Sequence, residues 1–318
     1  MKNTKKNLKQ FPLIIFLMGP TASNKTFLAM ELHKYFPIEI ISVDSALIYK
    51  DLNIGIAKPS KNQLLKHPHR LVNIKELNEY YSVKMFYHDV LKEINQIISL
   101  NKIPFLVGGT MFYYKVLLYG LSSLPKKDLN IRNELFLIKE KQGNYFLYEI
   151  LKLLDLNYSK LIHPNDTYRL LRALEVIFIS KKKISYLLSL KKYCFPYHVL
   201  QLAIFPKNRN WLNQRIFLRL NKMIDLGFQK EVEFLFFKKK VETNFPSMKS
   251  IGYKEMWSYI LGKITYDQMF NKIFNLTKSL SKRQITWLKS WENLNYFDSE
   301  NKEQCLEKLI NKINVFIK

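Results

Sequence analysis

The chain has 318 residues, 47% of them hydrophobic and 14% aromatic, with 51 Lys+Arg against 26 Asp+Glu for a net charge of +25. It is long enough for one large domain or two and reads as a soluble globular protein. No apolar run reaches the ~18–20 residues of a helical membrane span, so no membrane partner is expected. The charge favours a polyanionic partner, nucleic acid first, although a mutational bias towards Lys produces the same excess. Cys194 and Cys305 lie far apart and match no zinc or disulfide spacing, which fits a reducing, cytoplasmic location.

Residues 1–10 read as a basic tail. Lys2–Lys6 followed by Phe11–Met18 resembles a short signal peptide, but the apolar run meets a phosphate-binding pattern instead of a cleavage site, and a buried strand over Leu13–Met18 explains it better. A helix is predicted from Lys25 to about Tyr35 and a second strand over Ile38–Val43, ending at Asp44-Ser45. Val83, Phe86, Val90, Ile94 and Ile97 have helical spacing within Ser82–Leu100. A third strand, Ile103–Val107, breaks at Gly108-Gly109-Thr110. Strands alternating with helices predict an α/β fold with a mostly parallel sheet whose ligands sit at the carboxyl ends of the strands. From Pro125 the pattern turns helical and basic, and Lys126–Leu190 reads as an insertion. Val199–Phe205 returns to the sheet, and the remainder is mostly helical. The expected domains are 11–124 with 191–318 as the core and 125–190 as the insertion.

Directly after the first strand comes Gly19-Pro20-Thr21-Ala22-Ser23-Asn24-Lys25-Thr26. It follows the GxxxxGK[ST] phosphate loop, whose backbone N–H groups and helix N-terminus face a phosphate. All eight residues are candidate diphosphate contacts. Lys25 supplies charge and Thr26 a hydroxyl on the side of a Mg²⁺ ion. Asn24 stands where the second glycine is expected. Asn is the least harmful substitute if the backbone there is left-handed, and Asn24→Gly is expected to improve donor use. Asp44, at the end of the second strand beside this loop, is placed to accept a proton. Arg215 and Arg219, four apart, share a helix face.

Several further segments carry a resemblance. They are Ile41–Tyr49, Gly55, Ala57-Lys58-Pro59, Leu106–Met111, His163-Pro164-Asn165-Asp166, Arg169–Val176, Ile251-Gly252-Tyr253 and Lys282–Leu288. In this order, with the phosphate loop, the chain resembles the bacterial tRNA dimethylallyltransferases (tRNA isopentenyltransferase, or IPP transferase, family) over roughly residues 13–290. The resemblance implies a P-loop core with a mostly parallel sheet flanked by helices and an inserted helical domain that grips the anticodon stem-loop. It also implies transfer of a dimethylallyl group from dimethylallyl diphosphate to the exocyclic amine of the adenosine 3′ to the anticodon, in tRNAs that read codons beginning with U. Mg²⁺ is the implied cofactor and a monomer is expected.

By the same resemblance Asp44 is the general base and Arg219 a diphosphate contact, and Thr110 touches tRNA near the reacting base; with Lys25 and Thr26 these form the catalytic set. The implied tRNA contacts are Asp44, Ser45, Ala46, Leu47, Thr110, Arg132, Tyr168, Arg169, Leu170, Leu171 and Arg172. They continue in Lys249, Ser250, Ile251, Gly252, Tyr253 and Lys254, then in Lys282, Arg283, Gln284, Ile285, Thr286, Trp287 and Leu288. Besides Asn24, the chain departs from the pattern at Ile56, where a Thr hydroxyl is usual, at Lys278, where Arg is usual, and at Ser250, often Cys. Two other readings stand beside the transferase: a small-molecule kinase on the same loop, and a tRNA-binding remnant made inactive by Asn24.

Overall fold

The computed structural model describes residues 12–190 and 195–317, so the 1–10 tail and Cys194 lie outside the described residues. The first strand, β1 (Leu13–Met18), is buried from Ile14 onward and leads through the phosphate loop into α1 (Lys25–Leu32). There follow β2 (Ile38–Val43), α2 (Lys61–Lys66), a short β3 (His69–Arg70) and α3 (Val83–Ser99), in which the Ser82 hydroxyl accepts the Met85 N–H as a helix cap. β4 (Ile103–Gly108) runs into α4 (Met111–Tyr119).

The helical stretch then contains α5 (Leu129–Leu154, interrupted at Gly143), α6 (Leu156–Ser159), α7 (Thr167–Ser180) and α8 (Ile184–Ser189). β5 (His198–Ile204) precedes α9 (Arg209–Asp225), α10 (Phe228–Glu233), a π turn over Phe234–Lys238 and a 3₁₀ turn over Pro246–Lys249. α11 (Tyr253–Ile260), the long α12 (Tyr266–Lys289), β6 (Asn295–Phe297) and α13 (Lys302–Ile317) complete the chain.

The chain divides into two compact units. One comprises the described residues up to Leu117 with those from Pro196 onward, the other Leu118–Phe195. The first unit holds a six-stranded sheet in the order β3-β2-β4-β1-β5-β6, parallel throughout. Near-continuous apolar strands suit a sheet covered on both faces. Ile15, Leu17, Ile40, Phe105 and Leu202 pack with Leu28 and Leu32 of α1 and with Cys305, Leu309 and Ile313 of α13. Strand registers place Met18 opposite Gly108, and Gly108 opposite Val43. The three polar segments that follow β1, β2 and β4 therefore leave the sheet at one edge. The short β3 and β6 carry no sequence signal long enough to predict them, and α1 stops at Leu32, before the expected Tyr35.

The second unit is helical, as its sequence predicts. Leu135, Leu147, Leu151, Leu170, Leu174 and Ile177 form its core. Among the described residues no helix is long and apolar enough to cross a membrane.

Candidate active site

The phosphate loop turns through left-handed backbone at Ala22 (φ 64°) and Asn24 (φ 66°). Gly19 is required at the strand exit, because a Cβ there would lie 2.3 Å from the Ile204 carbonyl of β5. Asn24 meets the left-handed requirement that a glycine usually serves, and its side chain is engaged on both sides: Oδ1 accepts from Arg215 Nη2 at 2.9 Å, and Nδ2 donates to the Ser299 carbonyl at 3.4 Å. The position thus carries an amide that anchors an arginine of α9.

Lys25 and Thr26 open α1. Lys25 Nζ donates to the Pro20 carbonyl and lies 3.5 Å from the buried Ser23 hydroxyl. Burial pushes its ammonium down to about 7, the Arg219 guanidinium adds to that, and Asp44 opposes it. The Thr26 hydroxyl is on an exposed residue. Arg219, one turn along α9 from Arg215, donates from Nη1 to the Thr21 hydroxyl at 3.1 Å and from Nη2 to the Ile56 carbonyl at 3.3 Å. Its acidity is raised by burial and by Arg215, against an attraction from Asp44. Ile56, which lacks the usual hydroxyl, serves Arg219 through its backbone. The Arg215 guanidinium lies 5.7 Å from the Trp211 ring centre, and its buried Nε has no hydrogen-bond partner among the described residues.

Asp44 Oδ1 accepts the N–H groups of Ala46 (2.8 Å) and Leu47 (3.4 Å), which fixes the carboxylate at the end of β2. Its Oδ2 accepts no hydrogen bond among the described residues. Thr110 joins this turn: its N–H donates to the Val43 carbonyl at 3.3 Å, and its hydroxyl accepts the Ser45 N–H at 3.3 Å. Phosphate loop, Asp44 turn, Thr110 and Arg219 are therefore brought together. Lys25, Arg215 and Arg219 bring cationic side chains and Asp44 a carboxylate, chemistry suited to an anionic group beside a proton acceptor.

The structure treats the other predicted tRNA contacts unequally. Ser45, Lys249, Lys254, Lys282, Arg283 and Thr286 are exposed in the first unit. Arg169 and Tyr168 are exposed in the second, where the Arg132 guanidinium lies 5.8 Å from the Tyr168 ring centre. Side-chain contacts from Leu170, Leu171, Tyr253, Gln284 and Leu288 must be corrected, because the protein itself covers these side chains. Leu170 and Leu171 belong to the helical core. Tyr253 donates to Glu231 at 2.7 Å, and Gln284 bonds two backbone groups. Arg172 is turned inward, paired with Glu175 at 2.9 Å and donating to the Pro125 carbonyl at 2.7 Å. Lys278 lies over Phe274, 5.0 Å from its ring centre.

Sequence reading missed Glu231 of α10, which accepts the N–H groups of Ile54 (2.8 Å) and Gly55 (3.1 Å) and so holds the segment that carries Ile56. A lone Glu on a basic helix carries no signal of that reach. It also missed the Arg215–Asn24 bond, since a shared helix face for Arg215 and Arg219 names no partner on another element.

A family model described as IPP transferase matches residues 47–291, more than half of the chain. The chain belongs to the IPP transferase family. Among similar members is the tRNA dimethylallyltransferase of Buchnera aphidicola subsp. Acyrthosiphon pisum (strain APS), 49% identical over 302 residues and covering 95% of each chain. That of Buchnera aphidicola subsp. Baizongia pistaciae (strain Bp) is 47% identical over 308 residues, 96% of this chain and 95% of the relative. Of solved IPP transferases, the tRNA isopentenylpyrophosphate transferase of Bacillus halodurans aligns with a TM-score of 0.70 at 28% identity, over 96% of both chains. A eukaryotic dimethylallyltransferase, captured acting on tRNA, aligns with a TM-score of 0.81 at 25% identity, over 96% of this chain and 79% of its own.

Proposed function

We propose that this IPP transferase moves a dimethylallyl group from dimethylallyl diphosphate to the exocyclic amine of the adenosine 3′ to the anticodon, in tRNAs reading U-initial codons, giving isopentenyladenosine and diphosphate. The observation that carries the reading is the convergence of a phosphate loop, Arg219 and Asp44 at one edge of the sheet, in a chain that shares its family with tRNA dimethylallyltransferases.

In this reaction the bond from the allylic carbon to the diphosphate oxygen breaks as the C–N bond forms. Negative charge grows on the leaving oxygens, where Lys25, Arg219 and the N–H groups at the start of α1 stabilise it. Arg215, anchored by Asn24, adds a second guanidinium beside the loop. The adenine nitrogen loses its proton to Asp44, whose Oδ2 is the open acceptor. The adenosine must leave the anticodon-loop stack to present its amine, and the exposed basic residues of α12 and the Lys249–Lys254 segment are assigned to the tRNA backbone. Binding of the stem-loop by the insertion, 125–190, is proposed on the exposed Tyr168 and Arg169.

Among the described residues no group of three or more His, Cys, Asp or Glu side chains could hold a metal on its own. A Mg²⁺ ion fits this loop only as one carried chiefly by diphosphate oxygens and water, with the exposed Thr26 hydroxyl as the protein ligand. When bound it neutralises charge on the leaving group. A cytoplasmic monomer completes the reading.

The test incubates the protein with Mg²⁺, dimethylallyl diphosphate and unmodified tRNA bearing adenosines after the anticodon, followed by mass spectrometry of the digested nucleosides. Dimethylallyl adenosine is the expected product. Intact tRNA binding without product would favour the inactive remnant, and ATP turnover without RNA the kinase.

A further inference from the structure

α12 presents two kinds of residue. Lys282, Arg283 and Thr286 are exposed, whereas Ser281, Gln284 and Leu288 are buried. Gln284 uses both ends of its carboxamide inside the protein. Oε1 accepts the Thr21 N–H at 2.8 Å, and Nε2 donates to the Gly109 carbonyl at 2.8 Å. Rotating or removing that carboxamide leaves two backbone groups without their partners, which resists its movement.

Its two partners belong to the two segments that the prenyl-transfer reading assigns to donor and acceptor. Thr21 belongs to the phosphate loop and receives Arg219 on its hydroxyl. Gly109 precedes Thr110, which is bonded to Val43 and Ser45 on either side of Asp44. The gap is already filled: a Cβ on Gly109 would lie 2.5 Å from Gln284 Nε2 and 3.2 Å from the Gly19 carbonyl. The phosphate loop and the Asp44–Thr110 turn are thus joined through one side chain from a third element.

We propose that Gln284 is a positioning residue for the transfer, setting the separation between the loop that holds the diphosphate and the turn that receives the acceptor amine. This rests on the prenyl-transfer reading above. An in-line displacement needs its reacting atoms near 3–3.5 Å, and a shift of about 1 Å costs roughly 10²-fold in rate. Because Gln284 is covered, its loss falls on kcat and leaves both affinities in place.

The test compares wild type, Gln284→Met, Gly109→Ala and the double variant. Gln284→Met keeps length and apolar packing but removes both bonds, whereas Gly109→Ala disturbs the same contact from the other side. Single-turnover rates are measured with saturating tRNA and donor, and Kd values with inorganic diphosphate and with tRNA. Each single variant is expected to lose about 10²-fold in rate with both Kd values within three-fold of wild type. The double variant should be no worse than the weaker single, since both act through one contact. If Gln284→Met does not fold, Gly109→Ala carries the comparison alone. A rate within three-fold of wild type, or a loss accounted for by weakened binding, overturns the proposal. A wild type that binds tRNA but makes no product overturns the underlying reading and the proposal with it.

Discussion

The two units treat buried charge in opposite ways. In the helical unit Glu175 has no exposed surface, and its carboxylate is met by the Asp128 N–H at 2.9 Å, by Arg172 at 2.9 Å and by Arg132 at 3.7 Å. Asp155, 1% exposed, accepts from Tyr158 N–H and from both the N–H and hydroxyl of Ser185. Each of these charges finds its partners within the unit, so the arrangement is a framework. At the carboxyl ends of the strands Lys25 and Arg219 both feel the Asp44 carboxylate, and Arg215 adds its charge beside Arg219. The Lys25 ammonium is pushed down to about 7, and Arg215 Nε has no hydrogen-bond partner among the described residues. Charge left uncompensated at that cost points to a ligand. Arg132 and Arg172 are neutralised by Glu175, whereas Arg215 and Arg219 hydrogen-bond to neutral groups around the loop, a difference that composition alone does not show.

The sharpest way to break the contrast is Asp44→Asn. It should lower the transfer rate by about 10²–10⁴-fold with tRNA Kd within a few-fold of wild type, because a positioned base contributes that much. A large loss of tRNA binding instead would make Asp44 a substrate anchor. Next is the basic surface: if about six phosphates are neutralised, tRNA affinity should fall roughly 10³-fold between 50 and 200 mM salt. A flat salt response would remove the polyanion reading of the +25 charge.

On the framework side, Glu175→Ala leaves Arg132 and Arg172 without their buried partner and should cost about 3–5 kcal/mol in chemical denaturation. An unchanged midpoint would show that these arginines are free for other work.

Lys25 gives a pH test whose sign follows from its shift. The ammonium of the free enzyme loses its proton as pH rises through about 7, so inorganic diphosphate should bind more weakly above that pH, and binding should draw a proton onto Lys25. Lys25→Arg, charged throughout, should show a shallower pH dependence than wild type. For folding the direction is opposite. A lysine depressed in the folded state destabilises it below about pH 7, and the penalty is relieved as pH rises towards the unfolded value of 10.5. The smallest effect belongs to Asn24→Gly. Relief of left-handed backbone opposes loss of the bond to Arg215, each of about 1 kcal/mol, so donor KM should move by less than about five-fold. A larger rise would mark the Asn24–Arg215 bond as the stronger of the two effects.

Much of this molecule was legible in order along the chain. β1 and β2 occupy the predicted Leu13–Met18 and Ile38–Val43, because buried parallel strands are short apolar runs bounded by turn residues. The candidate phosphate loop and the candidate proton acceptor likewise rest on local signals: a spacing at a helix start and a carboxylate at a strand end. Asn24 reads as tolerable if its backbone is left-handed, and the backbone there is left-handed.

Partnership was not local. Gln284 stands 263 residues from Thr21, Arg215 stands 191 from Asn24, and Glu231 stands 177 from Ile54. A side chain's periodicity says which face it occupies, not whose backbone it will meet; Gln284 and Arg172, which the resemblance implies as tRNA contacts, are turned inward. What the sequence determined by itself was the set of elements and the chemistry at each strand end, since both depend on neighbours a few residues away. Which cations are neutralised and which remain open was decided by the tertiary structure, through parallel registers and helix packing that place distant residues within hydrogen-bond reach.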